Sequence, residues 1–310
     1  MFAILLLSDL FLLLLFARVF TRTDDRASFF NPYLLWARRV TDPVGAFVAD
    51  LFPGLPVRAA CAIAFLFILA FRGALFVSAS GANWTVVVGS TLAFHPRAGW
   101  FGAIGFSLLD FAVFLVRFWS LALLADLLAA PKTTMPRMGQ ALDTLASPCG
   151  HGPLWARIVG VLLANALLAP LLHHLATVSL VAPGSPHVIF GSLFHVETPA
   201  RLAAAYAGVA LFSLADFLAF LRGALIIAIF ASLAAAIFRN RTLATFFLEL
   251  QNLLLGRFSR RQIGVGMFDF TPILFFVALN FLYGLAVSFV LLPLRHFGVF
   301  AAGALAAQSY

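Results

Sequence analysis

The sequence predicts an all-α, polytopic membrane protein, and three observations predict it. The 310 residues are 63% hydrophobic and only 10% charged, where a soluble domain carries about 25% charged residues. The mean hydropathy is +1.04. Several apolar runs reach the roughly 20 residues that a helix needs to cross a hydrocarbon core. A backbone in lipid must satisfy its own polar groups, so these runs are expected to be helices.

Six spans follow in order, at 2–20, 58–78, 101–129, 157–181, 202–238 and 270–292. The first has no basic leader, holds Asp9 within the apolar run and lacks a small-x-small site, so it reads as a helix and not as a cleavable signal. The fifth is long, about 55 Å at 1.5 Å per residue, and could be two short helices or one long one. Loop charge decides. Segments 21–57, 131–156 and 239–268 hold four, two and five Lys/Arg, whereas 79–100, 182–201 and 293–310 hold only Arg97, Arg201 and Arg295. Basic loops stay in the cytoplasm. One long fifth helix keeps all three basic loops inside and both termini outside. A split helix would export the loop richest in arginine.

Each basic loop contains an amphipathic stretch. In the first, Tyr33, Trp36, Val40, Val44, Phe47, Val48 and Leu51 recur at helical spacing. In the third, Leu243, Phe246, Phe247, Leu250 and Leu254 do so, and a weaker set is Met138, Ala141, Leu142 and Leu145. Such a stripe suits a helix in the headgroup region or one packed on the protein's own helices, since both bury the apolar face. The helices that precede these loops also match: "SDLFLLLLFARVFT", "LDFAVFLVRFWS" and "ADFLAFLRGAL" each carry one aspartate and then one arginine. The chain therefore reads as three helix–interfacial segment–helix units, 1–80, 101–181 and 202–292, related by an axis along the membrane normal.

In the first unit "ARVFT" leads to "FFNPYLLWARRVTDPV" and "LFPGLP". The third contains "VGMFDFTPILFF", and the second offers the weaker "RFWS" and "QALDTLASP". This succession resembles the YggT (YlmG) family of small bacterial and plastid membrane proteins. The matching positions are Asn31, Pro32, Thr41, Pro43, Asp269, Thr271 and Pro272. The first unit departs from the pattern where its second helix opens "VRAACAIAF", and the third where it reads "LELQNLLLGRF". The resemblance implies a bacterial inner-membrane protein with roles in envelope organisation, division-linked processes or maturation of membrane complexes. It also implies a possible link to osmotic or potassium tolerance.

Physical reasons for the same residues stand beside it. Pro32 is tolerated in a first helical turn, and Pro43 supplies a second break or start because it lacks a donor and restricts Asp42. Thr271 as N-cap with Pro272 next explains the start of the last helix, and Asp269 there is favoured by the helix dipole. Arg38, Arg39, Arg260 and Arg261 are expected to meet lipid phosphates. Arg18 is expected to snorkel to the cytoplasmic heads and Arg72 to the outer ones.

Asp9, Asp110 and Asp216 lie inside their helices, where an ionisable residue is a functional candidate. They could form an ion path, or pair with Arg18, Arg117 and Arg222 to fix helix register. The offsets of nine, seven and six residues make pairing across helices more natural than within them, and the matched charges favour packing. Cys149 and His151, His173 and His174, and His187, His195 and Glu197 show no diagnostic metal spacing. No nucleotide-binding, protease or nucleophile-elbow motif occurs, nor any nucleic-acid module. The expectation is a scaffold or assembly factor without enzymatic activity, cofactor or metal, whose partners are lipids and other membrane proteins or further copies of itself. The alternative is a proton- or potassium-type transporter or channel.

Overall fold

A computed structural model describes residues 2–20, 30–79, 86–88, 92–94, 100–127, 136–147, 149, 153–180, 187–189, 192–194, 199–238, 241–260, 263–265 and 268–296. The fold is all-α. Apolar helices α1 (Phe2–Phe20), α3 (Val57–Ala79), α4 (Trp100–Leu127), α6 (Leu154–Leu180), α7 (Pro199–Ile237) and α9 (Thr271–His296) pair off around three amphipathic helices, α2 (Pro32–Leu51), α5 (Pro136–Leu145) and α8 (Arg241–Leu255), called the short helices below because they average fewer residues. Three two-stranded antiparallel ribbons add two or three residues per strand: Val86–Val88 with Leu92–Phe94, His187–Ile189 with Ser192–Phe194, and Gly264–Val265 with Phe268–Asp269.

Five helical segments are long and apolar enough to cross a membrane among the described residues: Val57–Leu75, Trp100–Leu127, Leu154–Leu171, Tyr206–Ala235 and Thr271–Phe289. In α1 the side chains are described only from Leu7 onward. The long apolar run in the second half of the chain is one helix, α7, of 39 residues.

Helices adjacent in sequence pack side by side, so α1, α3, α4, α6, α7 and α9 form a folded row. The span in α4 is its axis, 61% buried, while that in α9 at the rim is 11% buried. The core follows the same order. Leu12, Leu13, Leu69, Phe111 and Phe114 join α1, α3 and α4, and Leu121, Leu221, Leu225 and Leu279 join α4, α7 and α9.

The short helices gather at one end, where α5 touches α1, α2 and α8. Asn31 caps α2 by accepting the Tyr33 N–H, with Pro32 next in the first turn. The helix does not break at Pro43, contrary to the expectation from Thr41-Asp42-Pro43. Arg39 and Pro43 both lie on the exposed face, so the carbonyl left without a donor by proline faces outward. Pro53-Gly54 then turns the chain into α3, with Gly54 at φ 92°, a conformation that glycine adopts without steric cost. At α9 the carbonyl of Phe270 accepts the first helical bond, from Leu274. Phe270 thus occupies the cap position expected of Thr271, and Thr271 Oγ instead accepts the N–H of Ile263 at 2.9 Å.

Candidate functional site

The most buried charges lie between α1, α3 and α4. Arg72 of α3, 3% exposed, donates Nη1 to Asp9 at 2.6 Å and Nη2 to Asp110. The two aspartates come from the first helices of different predicted units, and the arginine stands between them. Arg117 adds positive potential at both carboxylates, so these four groups balance two against two.

Local sequence explains the placement. Asp9 and Asp110 each lie on the inward face of an apolar helix, and Gly73 follows Arg72 where α3 meets α4. A Cβ at Gly73 would lie 3.0 Å from the backbone of Ile104. Glycine therefore lets the two backbones close to the distance at which Arg72 reaches Asp110. Further along the same three helices, Phe16, Phe65, Phe111 and Phe114 form a ring cluster with edge and tilted contacts, extended by Phe220 of α7. Burial of the triad itself strengthens the ion pairs by lowering the local dielectric.

The other predicted charges separate. Arg18 does not join Asp9; it donates to Asp42 of α2 at 3.1 Å. Arg222 donates to Asn280 of α9 and lies over the Tyr283 ring, 5.3 Å from its centroid. Arg72 does not snorkel outward, because two carboxylates hold it inside. Arg38 is not a surface contact: it is 8% exposed and turned toward α1, while Arg39 is exposed. On α2 the buried positions are Leu34, Arg38, Thr41, Gly45 and Val48, whereas Trp36, Phe47 and Leu51 are exposed. Arg261 lies outside the described residues, as do the side chains of Asp216, Arg260, Asp269, His173, His174 and His187. Residues His151, His195 and Glu197 lie outside them too.

Sequence reasoning missed three polar ties. Asn31 Nδ2 donates to the Arg137 carbonyl at 2.7 Å and to Gln140 at 3.2 Å. Tyr33 donates to Glu249 at 2.6 Å. Together these link all three short helices. Within the bundle, Asn165 of α6 donates to Ser120 of α4, and Ser213 of α7 donates to the Asn165 carbonyl. A lone amide in "LLANALLA" was the available signal for the last. Asp126 and Arg157 form a further pair at 2.6 Å between α4 and α6. Among the described residues, no group of three His, Cys, Asp or Glu could hold a metal ion.

No family model, curated protein or solved structure matches this chain. What the site can do is therefore argued from its chemistry. Two carboxylates bridged by a guanidinium hold three helices in a fixed register. Arg72 occupies one oxygen of each carboxylate and competes there with a proton or cation.

Proposed function

We propose that the protein is a YggT-type scaffold of the bacterial inner membrane, which organises or assembles other membrane proteins and performs no catalysis. The observation that carries this reading is the buried Asp9–Arg72–Asp110 bridge, to which Arg117 adds the second positive charge. Intramembrane carboxylates held this way serve packing, since each ion's desolvation is offset by a direct partner. Three helix–short helix–helix units would then present their short helices as a common cytoplasmic contact face. The linked Asn31, Tyr33, Arg137 and Glu249 side chains support one rigid platform. Cross-linking in intact membranes, then affinity purification in mild detergent and mass spectrometry, tests the reading. A reproducible stoichiometric partner is expected. A homogeneous oligomer of this chain alone would argue against assembly of other proteins.

The second reading is proton or cation transport, and it rests on two carboxylates sharing one arginine. Ion flux in liposomes distinguishes it. For a scaffold, the unmodified protein should carry no flux above empty vesicles. Flux that Asp9→Asn or Asp110→Asn abolishes, in variants that still fold, would make transport the function.

A further inference from the structure

The α7–α9 end of the helix row carries a charge at a depth where a bilayer accepts one least. Arg222 of α7 donates Nη1 to Asn280 of α9, and Asn280 lies nine residues from either end of the Thr271–Phe289 span. Nine residues are about 13 Å of helix, so the contact sits near the middle of a hydrocarbon core about 30 Å thick. The other group facing the guanidinium is the Tyr283 ring. Both neighbours are neutral, and the hydrogen bond lies exposed on the flank of the bundle. The nearest carboxylate along α7, that of Asp216, starts about 9 Å away along the axis and is rotated by about 120°. Arg72, by contrast, is 3% exposed and stands between two carboxylates. Arg222 therefore shares the membrane depth of an ion-paired arginine but meets only neutral groups among the described residues.

The helix surface beside it suits close approach. On α9, Asn280, Gly284 and Ser288 recur every four residues and are all exposed, so they form one stripe. At Gly284, and at Gly223 next to Arg222, no described atom lies within 4 Å of where a Cβ would stand. Ser288 turns its hydroxyl back to the Gly284 carbonyl, which leaves a shallow track. Small residues spaced by four let membrane helices pack closely, and a polar contact between the helices then fixes their register. We propose that α7 and α9 dock a transmembrane helix of another protein, which packs along Asn280, Gly284 and Ser288 and presents an aspartate or glutamate to Arg222. An arginine inside the membrane is costly without an anion, and its planar fork of donors matches a carboxylate. A lipid phosphate stays in the headgroup layer, well over a side chain's length from this depth. A second copy of this chain fits less well, because Asp9 and Asp110 are held inside the bundle by Arg72. The inference rests on the scaffold reading for the existence of a partner, and adds where that partner touches and what it carries.

The test uses the full chain in phosphatidylcholine vesicles at about pH 8, where a glutamate facing a cation is ionised. The probes are fluorescent leucine–alanine transmembrane peptides of about 20 residues with Glu, Gln or Leu at the centre, and energy transfer reads their binding. The Glu peptide should bind about tenfold more tightly than the Leu peptide, the size expected of a polar contact between helices in lipid, and more tightly than the Gln peptide. Arg222→Gln should erase that preference and Arg39→Gln should keep it. Equal affinity for the three peptides, or a preference that survives Arg222→Gln, would overturn the site. A dimer of the unmodified chain that excludes the peptide and that Arg222→Gln disperses would assign the surface to a second copy and overturn the partner assignment. Loss of the preference on adding phosphatidylglycerol would assign Arg222 to lipid and overturn it likewise. Should Arg222→Gln fail to fold, Gly284→Leu keeps the charge and fills the track; it should lose the preference, and full retention would count against the proposal. Cross-linking in native membranes keeps the two readings apart: a stoichiometric partner that Arg222→Gln still retains would overturn this surface and leave the scaffold reading standing.

Discussion

Arg72 ties three helices together through one side chain. Its guanidinium is the direct partner of two carboxylates from two other helices, inside a bundle whose surroundings cannot solvate them. Removing one member of a buried ionic set costs about 3–5 kcal/mol, because the remaining charges stay buried without compensation. Arg72→Met should cost that much, read as a lower melting temperature in detergent. The combined change of Asp9→Asn, Arg72→Met, Asp110→Asn and Arg117→Gln, which removes the whole balanced set, should recover at least half of the loss. A single variant that melts with the parent would remove the bridge from the stability argument. Asn31→Ala should also destabilise, by about 1–2 kcal/mol, through loss of a helix cap; its two bonds to α5 fall with it, and melting of the purified protein reads the sum. At this scale the sequence revealed that Asp9 and Asp110 sit inside helices, and that opposite charges pair across helices. It did not reveal the partner. Arg72 looked like a snorkelling residue because it lies toward one end of its span, and only the packing of α3 between α1 and α4 turns it inward.

Helices meet where side chains allow it, and the junction of α3 with α4 depends on Gly73. Gly73→Ala would place a Cβ 3.0 Å from backbone atoms of Ile104, and backbone cannot swing aside as a side chain can. The expected cost is about 1–3 kcal/mol from overpacking, with the Arg72–Asp110 contact strained in the same movement. Disulfide trapping across α3 and α4 would register the separation, and an unchanged trapping efficiency together with an unchanged melting temperature would contradict it. The short helices offer a pH-dependent element. Burial first, and then the hydrogen bond and charge of Glu249, push the Tyr33 phenol above its ordinary value of 10.0. A folded pKa above the unfolded one means that this contribution is complete below pH 10 and is lost as pH rises beyond it. Tyr33→Phe should therefore flatten the fall in melting temperature above pH 10, and an unchanged slope would count against the α2–α8 tie. Element positions were legible because a hydrophobic run of fixed length has few alternatives to a helix in lipid. The continuity of α2 through Pro43 was not. Proline chemistry alone argues for a break there, and what permits continuity is that the lost hydrogen bond lies on the outward face. Which face of α2 turns inward was left open by its apolar stripe, which suits lipid or protein alike. The bundle takes Leu34, Arg38, Thr41, Gly45 and Val48 and leaves Trp36, Phe47 and Leu51 of the stripe exposed.

The whole molecule has two unlike ends, and this makes its orientation testable. One end gathers α2, α5 and α8, tied by Asn31 and Tyr33; the connections between α3 and α4 and between α6 and α7, each carrying a ribbon, lie at the other. The loops on the helical end hold eleven Lys/Arg against three at the opposite end, and the positive-inside bias then predicts that the short helices lie in the cytoplasm. Charge counting predicts such an orientation without knowledge of packing; the row of helices around α4 could not be predicted so, because apolar faces of similar character do not name their neighbours. Two reporters separate the ends. With Cys149 replaced by serine and Cys61 left buried in the core, Ala46→Cys marks the exposed face of α2 and Ala200→Cys the exposed start of α7. A membrane-impermeant maleimide applied to intact spheroplasts should label the second and not the first, and inverted vesicles should reverse the pattern. Labelling of both from one side would mean that α3, α4 and α6 do not make three crossings between the two reporters, and the predicted topology would fall. A clean reversal of the two signals would leave the fold intact and turn it over in the membrane, moving the short-helix platform to the outer face.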